Sequence, residues 1–247
     1  MRFRRQNAFT VIEILVYIAI SAVIMALLMT LFNVHRQSYN VTTATYLLGQ
    51  EAEAALRWIR EDVRDSALAS IRVYPSAEKP TEPPGASLAS ARNKDEEYKI
   101  DKSGAPAWEK QIFYTFEPET GGTGRLLRRE VAYGKYQPIP TVSDTLPSAV
   151  PATKQRVVLR GVVKPDAQLK GLAGVDTYGG FKLQFVRSDD TLTSWSPSDV
   201  TWGKASVSKP TGSNTKMMDC QLIVLLEGAH QDKPSFVRLG FRLTPRF

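Results

Sequence analysis

One cysteine, Cys220, serves the whole chain of 247 residues, so no disulfide can form within it. The fold must therefore rest on its core and its hydrogen bonds, even in an oxidising compartment that would permit bridges. Cys220 falls in the apolar run 217–226, where a buried free thiol is the expectation. Histidine is scarce too: His35 and His230 stand far apart, and neither has a ligating partner three or four residues on. His35, beside Arg36, reads as an interfacial residue. HExxH, CxxC, GxSxG and GxxxxGK[ST] patterns are missing, and Gly121-Gly122-Thr123-Gly124 lacks the following lysine and reads as a turn. The adjacent acids Asp189 and Asp190, next to Arg187, read as a solvated turn. These absences predict no catalytic residue, no cofactor, no metal and no enzymatic activity. The formal charge of +7 is spread thinly, with no Lys/Arg block, so no nucleic-acid partner is expected.

Proline is missing before Pro75, and charge is missing from Ile14 to Phe32. At 1.5 Å per residue, a helix of about twenty apolar residues crosses a hydrocarbon layer of about 30 Å. The flank before it, residues 1–8, is polar and basic, with Arg2, Arg4 and Arg5. The positive-inside rule leaves that flank in the cytoplasm and places the chain after about His35 on the far side of the membrane. No cleavage site follows the apolar core, so the span is retained as a single-pass anchor.

Glu13 is the exception in this oil-facing segment. A carboxylate near the start of a spanning helix is costly, and such groups usually meet a partner. The residues Ala8-Phe9-Thr10-Val11-Ile12-Glu13-Ile14-Leu15 closely resemble the prepilin cleavage and methylation signature of type IV pilins, type II secretion pseudopilins and competence pseudopilins. The resemblance implies cleavage between Ala8 and Phe9 by a membrane prepilin peptidase, which also methylates the new amine of Phe9. It assigns assembly to Glu13 and Thr10, with Glu13 pairing the α-amine of a neighbouring subunit. The motif departs from the family's usual pattern in having Ala8 where glycine is common.

Residues 33–74 continue as an amphipathic extension of the helix, to about Ser70, with Leu48, Ala52, Ala55, Leu56, Ile59 and Val63 at helical spacing. Tyr39, Tyr46 and Trp58 read as core or interface packing. Residues 75–107, rich in Pro, Ser, Ala, Glu and Lys, read as a loop or insertion. From 108 to 247 the period shifts towards two, and strands are expected at 111–116, 125–133, 156–163, 181–186, 220–226 and 237–243. The fold class is α+β: a long N-terminal helix, first transmembrane over 9–32 and then amphipathic, packed on an antiparallel β-sheet head.

The segment 110–116, a turn, and then Gly124-Arg125-Leu126-Leu127-Arg128-Arg129 is similar to the strand, turn and "LLRR" strand of the J-type minor pseudopilin. The order of parts also resembles the W-type minor pilin. These resemblances imply a minor pilin or pseudopilin that assembles with other minor and major subunits and initiates or caps a periplasmic filament. The alternative is a surface-exposed adhesin or DNA-uptake pilin. It would need a basic patch, and Arg125, Arg128 and Arg129 are its one candidate cluster, although a strand sends alternate members to opposite faces.

Overall fold

The computed structural model describes residues 10–74, 81–93, 95–119, 121–137, 147–151, 155–165, 179–187, 192–193, 215–225 and 236–244. The chain divides into two compact units, Met1–Tyr46 and Leu47–Phe247. One helix, α1 (Val11–Arg64), contributes to both. It has no proline, and its apolar part is long enough to cross a membrane. In the first unit its side chains are exposed almost throughout, including Ile12, Leu15, Phe32 and Tyr39. Thr30 returns its hydroxyl to the Ala26 carbonyl at 2.9 Å, which satisfies a polar group that lipid could not.

In the second unit α1 turns Ala52, Ala55, Leu56, Ile59 and Val63 inward, the stripe that the spacing predicts. The helix stops at Arg64 instead of running on to Ser70. No Gly or Pro ends it. The Ser66 hydroxyl takes the Val63 carbonyl at 2.7 Å, and Ser66 N–H donates to the same oxygen at 3.3 Å, closing the last turn. A short 3-10 turn, Leu68–Ser70, then leads directly into a strand.

Nine strands are described: β1 (Arg72–Tyr74), β2 (Gly85–Ser90), β3 (Trp108–Pro118), β4 (Thr123–Gln137), β5 (Gln155–Val163), β6 (Phe181–Arg187), β7 (Leu192–Thr193), β8 (Thr215–Leu225) and β9 (Phe236–Leu243). All pair antiparallel in the order β1-β2-β3-β4-β5-β8-β6-β7, with β9 on the other side of β8. The architecture is thus α+β, a long helix against an antiparallel sheet. The shared core draws Ile59 and Val63 from the helix, and Leu88, Ile112, Tyr114, Leu126, Leu183 and Leu222 from the sheet. Each large apolar side chain so buried contributes about 1.5–3 kcal/mol relative to exposure.

Within 75–107 the structure differs from the expected loop. β2 is buried along its whole length, pairing Val73 with Ala86 on one side and Leu88 with Ile112 on the other. Its sequence, Gly-Ala-Ser-Leu-Ala-Ser, gives little apolar signal. Small side chains nevertheless fit between two neighbours that satisfy the backbone. The following stretch holds two isolated bridges, Arg92 with Tyr98 and Ile100 with Pro106.

Among the described residues β5 meets β8 at one paired position, Val162 with Val224. Gly180 completes the contact, donating to Val163 O at 2.8 Å and accepting from Ile223 N at 2.7 Å. A Cβ on Gly180 would collide with the Ile223 carbonyl and lie 2.6 Å from Val163 N, so the close backbone approach requires glycine.

Candidate functional site

Two places in the described residues concentrate polar chemistry. The first is the start of α1. Thr10 N–H donates to Glu13 Oε2 at 2.9 Å, and the Thr10 hydroxyl donates to the same oxygen at 3.0 Å. Glu13 N–H in turn donates to Thr10 Oγ1 at 3.3 Å. This is a reciprocal capping box, which satisfies helix-end N–H groups that have no partner within the helix. The Thr-x-x-Glu spacing carries that signal in the sequence. Both donors from Thr10 converge on Oε2, and Glu13 Oε1 accepts no hydrogen bond among the described residues. Around it lie Val11, Ile12 and Ile14, all exposed and apolar. The carboxylate is therefore held in place on one oxygen and open on the other. Ala8 and Phe9 lie outside the described residues.

The second place lies beneath the C-terminal end of α1. Asp62 sits on the buried face of the helix, where binary patterning would put an apolar side chain. Arg128 on β4 donates to it twice, from Nε to Oδ2 at 2.6 Å and from Nη2 to Oδ1 at 3.1 Å, and Tyr114 on β3 donates its hydroxyl to Oδ2 at 2.5 Å. Arg128 also bonds Glu130 through Nη1. Lys110 Nζ then joins Glu130 Oε2 at 3.3 Å to Glu96 Oε1 at 2.8 Å. Carboxylates and cations alternate along this chain, so each buried charge has a counter-charge beside it. Burial opposes the charge on Arg128, but the Asp62 carboxylate overrides it and raises the guanidinium above its ordinary value. Burial, followed by the Asp62 charge, raises the Tyr114 phenol and keeps it a neutral donor.

A second ion pair lies beside it. Asp65 accepts from Arg64 Nε at 3.1 Å and from Arg92 Nε at 3.1 Å. Burial works against the Asp65 carboxylate, yet these two arginines hold its pKa below the ordinary 3.8.

The arginines proposed as a basic patch are dispersed. Arg125 pairs with Glu117 at the surface, Arg128 is buried on Asp62, and Arg129 reaches the carbonyls of Pro147 and Val150 at 3.3 and 3.1 Å. They form no common surface for phosphate. Trp58, read as packing, is 36% exposed and carries the Arg156 guanidinium 4.3 Å from its ring centroid. Tyr39 and Tyr46 are exposed. His35 is exposed on α1, while Arg187's side chain, Asp189, Asp190 and His230 fall outside what is described. Cys220 is buried, and burial, followed by the nearby Asp219, raises its thiol well above the ordinary range, so it is held as a neutral thiol. Among the described residues no group of three His, Cys, Asp or Glu side chains is placed to hold a metal ion.

The family model for the prokaryotic N-terminal methylation motif matches residues 3–29, and this motif is the signature of type IV pilins and pseudopilins. The match spans the basic flank, Ala8, Phe9, the capping box and most of the charge-free run. No curated protein and no solved structure matches the chain.

Proposed function

We propose that this chain is a minor pilin or pseudopilin: a subunit anchored in the inner membrane by the first part of α1, with its leader in the cytoplasm and its head in the periplasm. A prepilin peptidase cleaves between Ala8 and Phe9 and methylates the Phe9 amine. The mature subunit then joins other minor and major subunits at the start or cap of a short filament that serves protein secretion or pilus biogenesis.

The observation that carries this reading is the half-satisfied Glu13. The methylation motif lies across it, the capping box fixes one carboxylate oxygen, and the other oxygen is left within an apolar surface. An acidic group so placed is offset best by a cation delivered from outside the chain. The positive α-amine of a processed neighbour is such a cation. The β3–β4 hairpin, with Phe116 opposite Leu126 and Tyr114 opposite Arg128, fits the strand, turn and strand of a J-type head. A minor role also accounts for a head of this size.

The test is replacement of Glu13 by Ala in cells that carry the assembly machinery. The variant should insert and be cleaved but fail to crosslink to its neighbours; full crosslinking would refute the pairing. N-terminal sequencing of the membrane form should return methylated Phe9 as the first residue. Assignment to DNA uptake has no structural support, since Arg125, Arg128 and Arg129 are engaged separately.

A further inference from the structure

One face of β2, β3 and β4 shares its core with α1; the other carries Gly85, Phe113, Thr115, Leu127 and Arg129. A short 3-10 turn, Pro147–Ala149, sits on this second face with Val150 after it. Pro147 and Val150, three residues apart, are buried, while Ser148, Ala149 and Pro151 are exposed. The Pro147 ring lies over Gly85, where an added Cβ would stand 3.6 Å from it.

The turn is held by its backbone. Ser148 N–H donates to Glu82 Oε1 at 2.9 Å. The Thr115 hydroxyl donates to the Pro147 carbonyl at 3.2 Å, and Arg129 Nη1 donates to the carbonyls of Pro147 and Val150 at 3.3 and 3.1 Å. Three side chains thus hold one N–H and two carbonyls, and two apolar side chains set the register. Such a cradle selects a backbone shape and two apolar anchors, not a long sequence.

The same three side chains find little else to bond. Glu82 is 8% exposed, and its bond to Ser148 is its one hydrogen bond among the described residues. Arg129 has no ion pair there; it spends its donors on the two carbonyls, and its Nε is buried without an acceptor. Buried polar groups of this kind are costly when left unbonded. If the turn leaves, the cradle loses its partners together and stays receptive to a segment that restores them. The turn itself belongs to no strand, and a few hydrogen bonds with two apolar anchors place it among the parts of a fold that open most readily.

We propose that Glu82, Thr115 and Arg129 form a peptide-docking site, filled in this state by the chain's own 147–150 and taken over by a short segment of another protein. The incoming segment is a single 3-10 turn with an apolar residue, best proline, at its first position and a second apolar residue at its fourth. It offers an N–H at the second position and carbonyls at the first and fourth. The resident turn is an internal competitor whose tether gives it an effective concentration of about millimolar, so the partner is also held by other contacts. This goes beyond the filament reading and does not depend on processing of the N-terminus.

The test uses the full chain in detergent micelles and a fluorescent peptide Leu-Pro-Ser-Ala-Val-Pro, the sequence of 146–151. Pro147→Ser with Val150→Ser strips the resident turn of its anchors and leaves the cradle intact. This variant should bind the peptide at least tenfold more tightly than the unaltered chain. Adding Arg129→Met, or methylating the serine amide of the peptide, should weaken binding at least tenfold. In the unaltered chain the Ser148 amide should exchange hydrogen at least a hundredfold faster than the amides of the β3–β4 ladder. Equal affinity of the stripped and unaltered chains, or indifference to Arg129→Met or to the methylated amide, would overturn the docking site. Failure of the stripped chain to fold, or a Ser148 amide as protected as the ladder, would make the turn a fixed part of the core and overturn it as well.

Discussion

Arg128 on β4 grips Asp62 on α1 with two hydrogen bonds, 2.6 Å from Nε to Oδ2 and 3.1 Å from Nη2 to Oδ1. The pair fastens the last turns of the helix to the middle of the sheet, at a point where both side chains are 5% exposed. Removing one partner strands the other charge in the core.

Asp62→Ala or Arg128→Ala should therefore each destabilise the head by about 3–5 kcal/mol. The double replacement Asp62→Ala with Arg128→Ala should cost less than the sum of the two single changes, because neither member of the pair is then left facing a vacated partner. Urea unfolding followed by the fluorescence of Trp58 and its fellow tryptophans would measure the cycle. Additive losses would mean that the grip contributes no coupling.

Asp65 gives the head an acid limit. Its folded pKa lies below 3.8 because Arg64 and Arg92 outweigh the opposing effect of burial. As the pH falls the unfolded chain takes up this proton first. The contribution to stability is complete above about pH 4 and disappears as the pH drops through the lower folded value. Asp65→Asn should lower the melting temperature at neutral pH and flatten its fall below about pH 4. A parallel shift at every pH would exclude this carboxylate as the source.

Gly180 should tolerate no side chain. Its substitution by Ala would push a methyl into the Ile223 carbonyl at the junction of β5, β6 and β8. Strain of this kind typically costs about 1–3 kcal/mol. Faster hydrogen exchange at Val163 and Ile223, with little change in the β2–β3 ladder, is the expected pattern.

The strands most readable from sequence were those with clean alternation. In β6, Phe181, Leu183 and Phe185 are buried between Lys182 and Gln184, and in β9 the apolar set Val237, Leu239, Phe241 and Leu243 shares a face. β2 escaped because its small residues show neither period nor bulk, although its neighbours bury it completely. The end of α1 escaped for a different reason: a serine and a 3-10 bond stop it, not a Gly or Pro. In the sequence Asp62 is one more acid next to Glu61 on an amphipathic helix. Its partner is 66 positions away in sequence, and no local pattern announces such a pair. At the N-terminus the reverse held. Glu13 stands out because it is the lone acid beside a charge-free run, while its local bond to Thr10 needs only the ordinary Thr-x-x-Glu spacing and draws no attention in an apolar segment.

That double engagement of Glu13 leads to a separation by mutation. Thr10→Val removes the hydroxyl that both accepts from Glu13 N–H and donates to Oε2, while leaving the carboxylate charge and the Thr10 N–H contact in place. Loss of an N-cap side chain costs about 1 kcal/mol of helix stability, an effect confined to the first turn. Glu13→Ala removes the charge as well. If the carboxylate serves chiefly to cap the helix, the two variants should assemble equally badly. If it serves to meet an external amine, Thr10→Val should still crosslink to neighbouring subunits, at a reduced yield, while Glu13→Ala should not. Glu13→Gln divides the remaining possibility: it keeps an acceptor for the cap but has no charge to offer a cation, so it should behave like Glu13→Ala in assembly and like the unaltered chain in helix content.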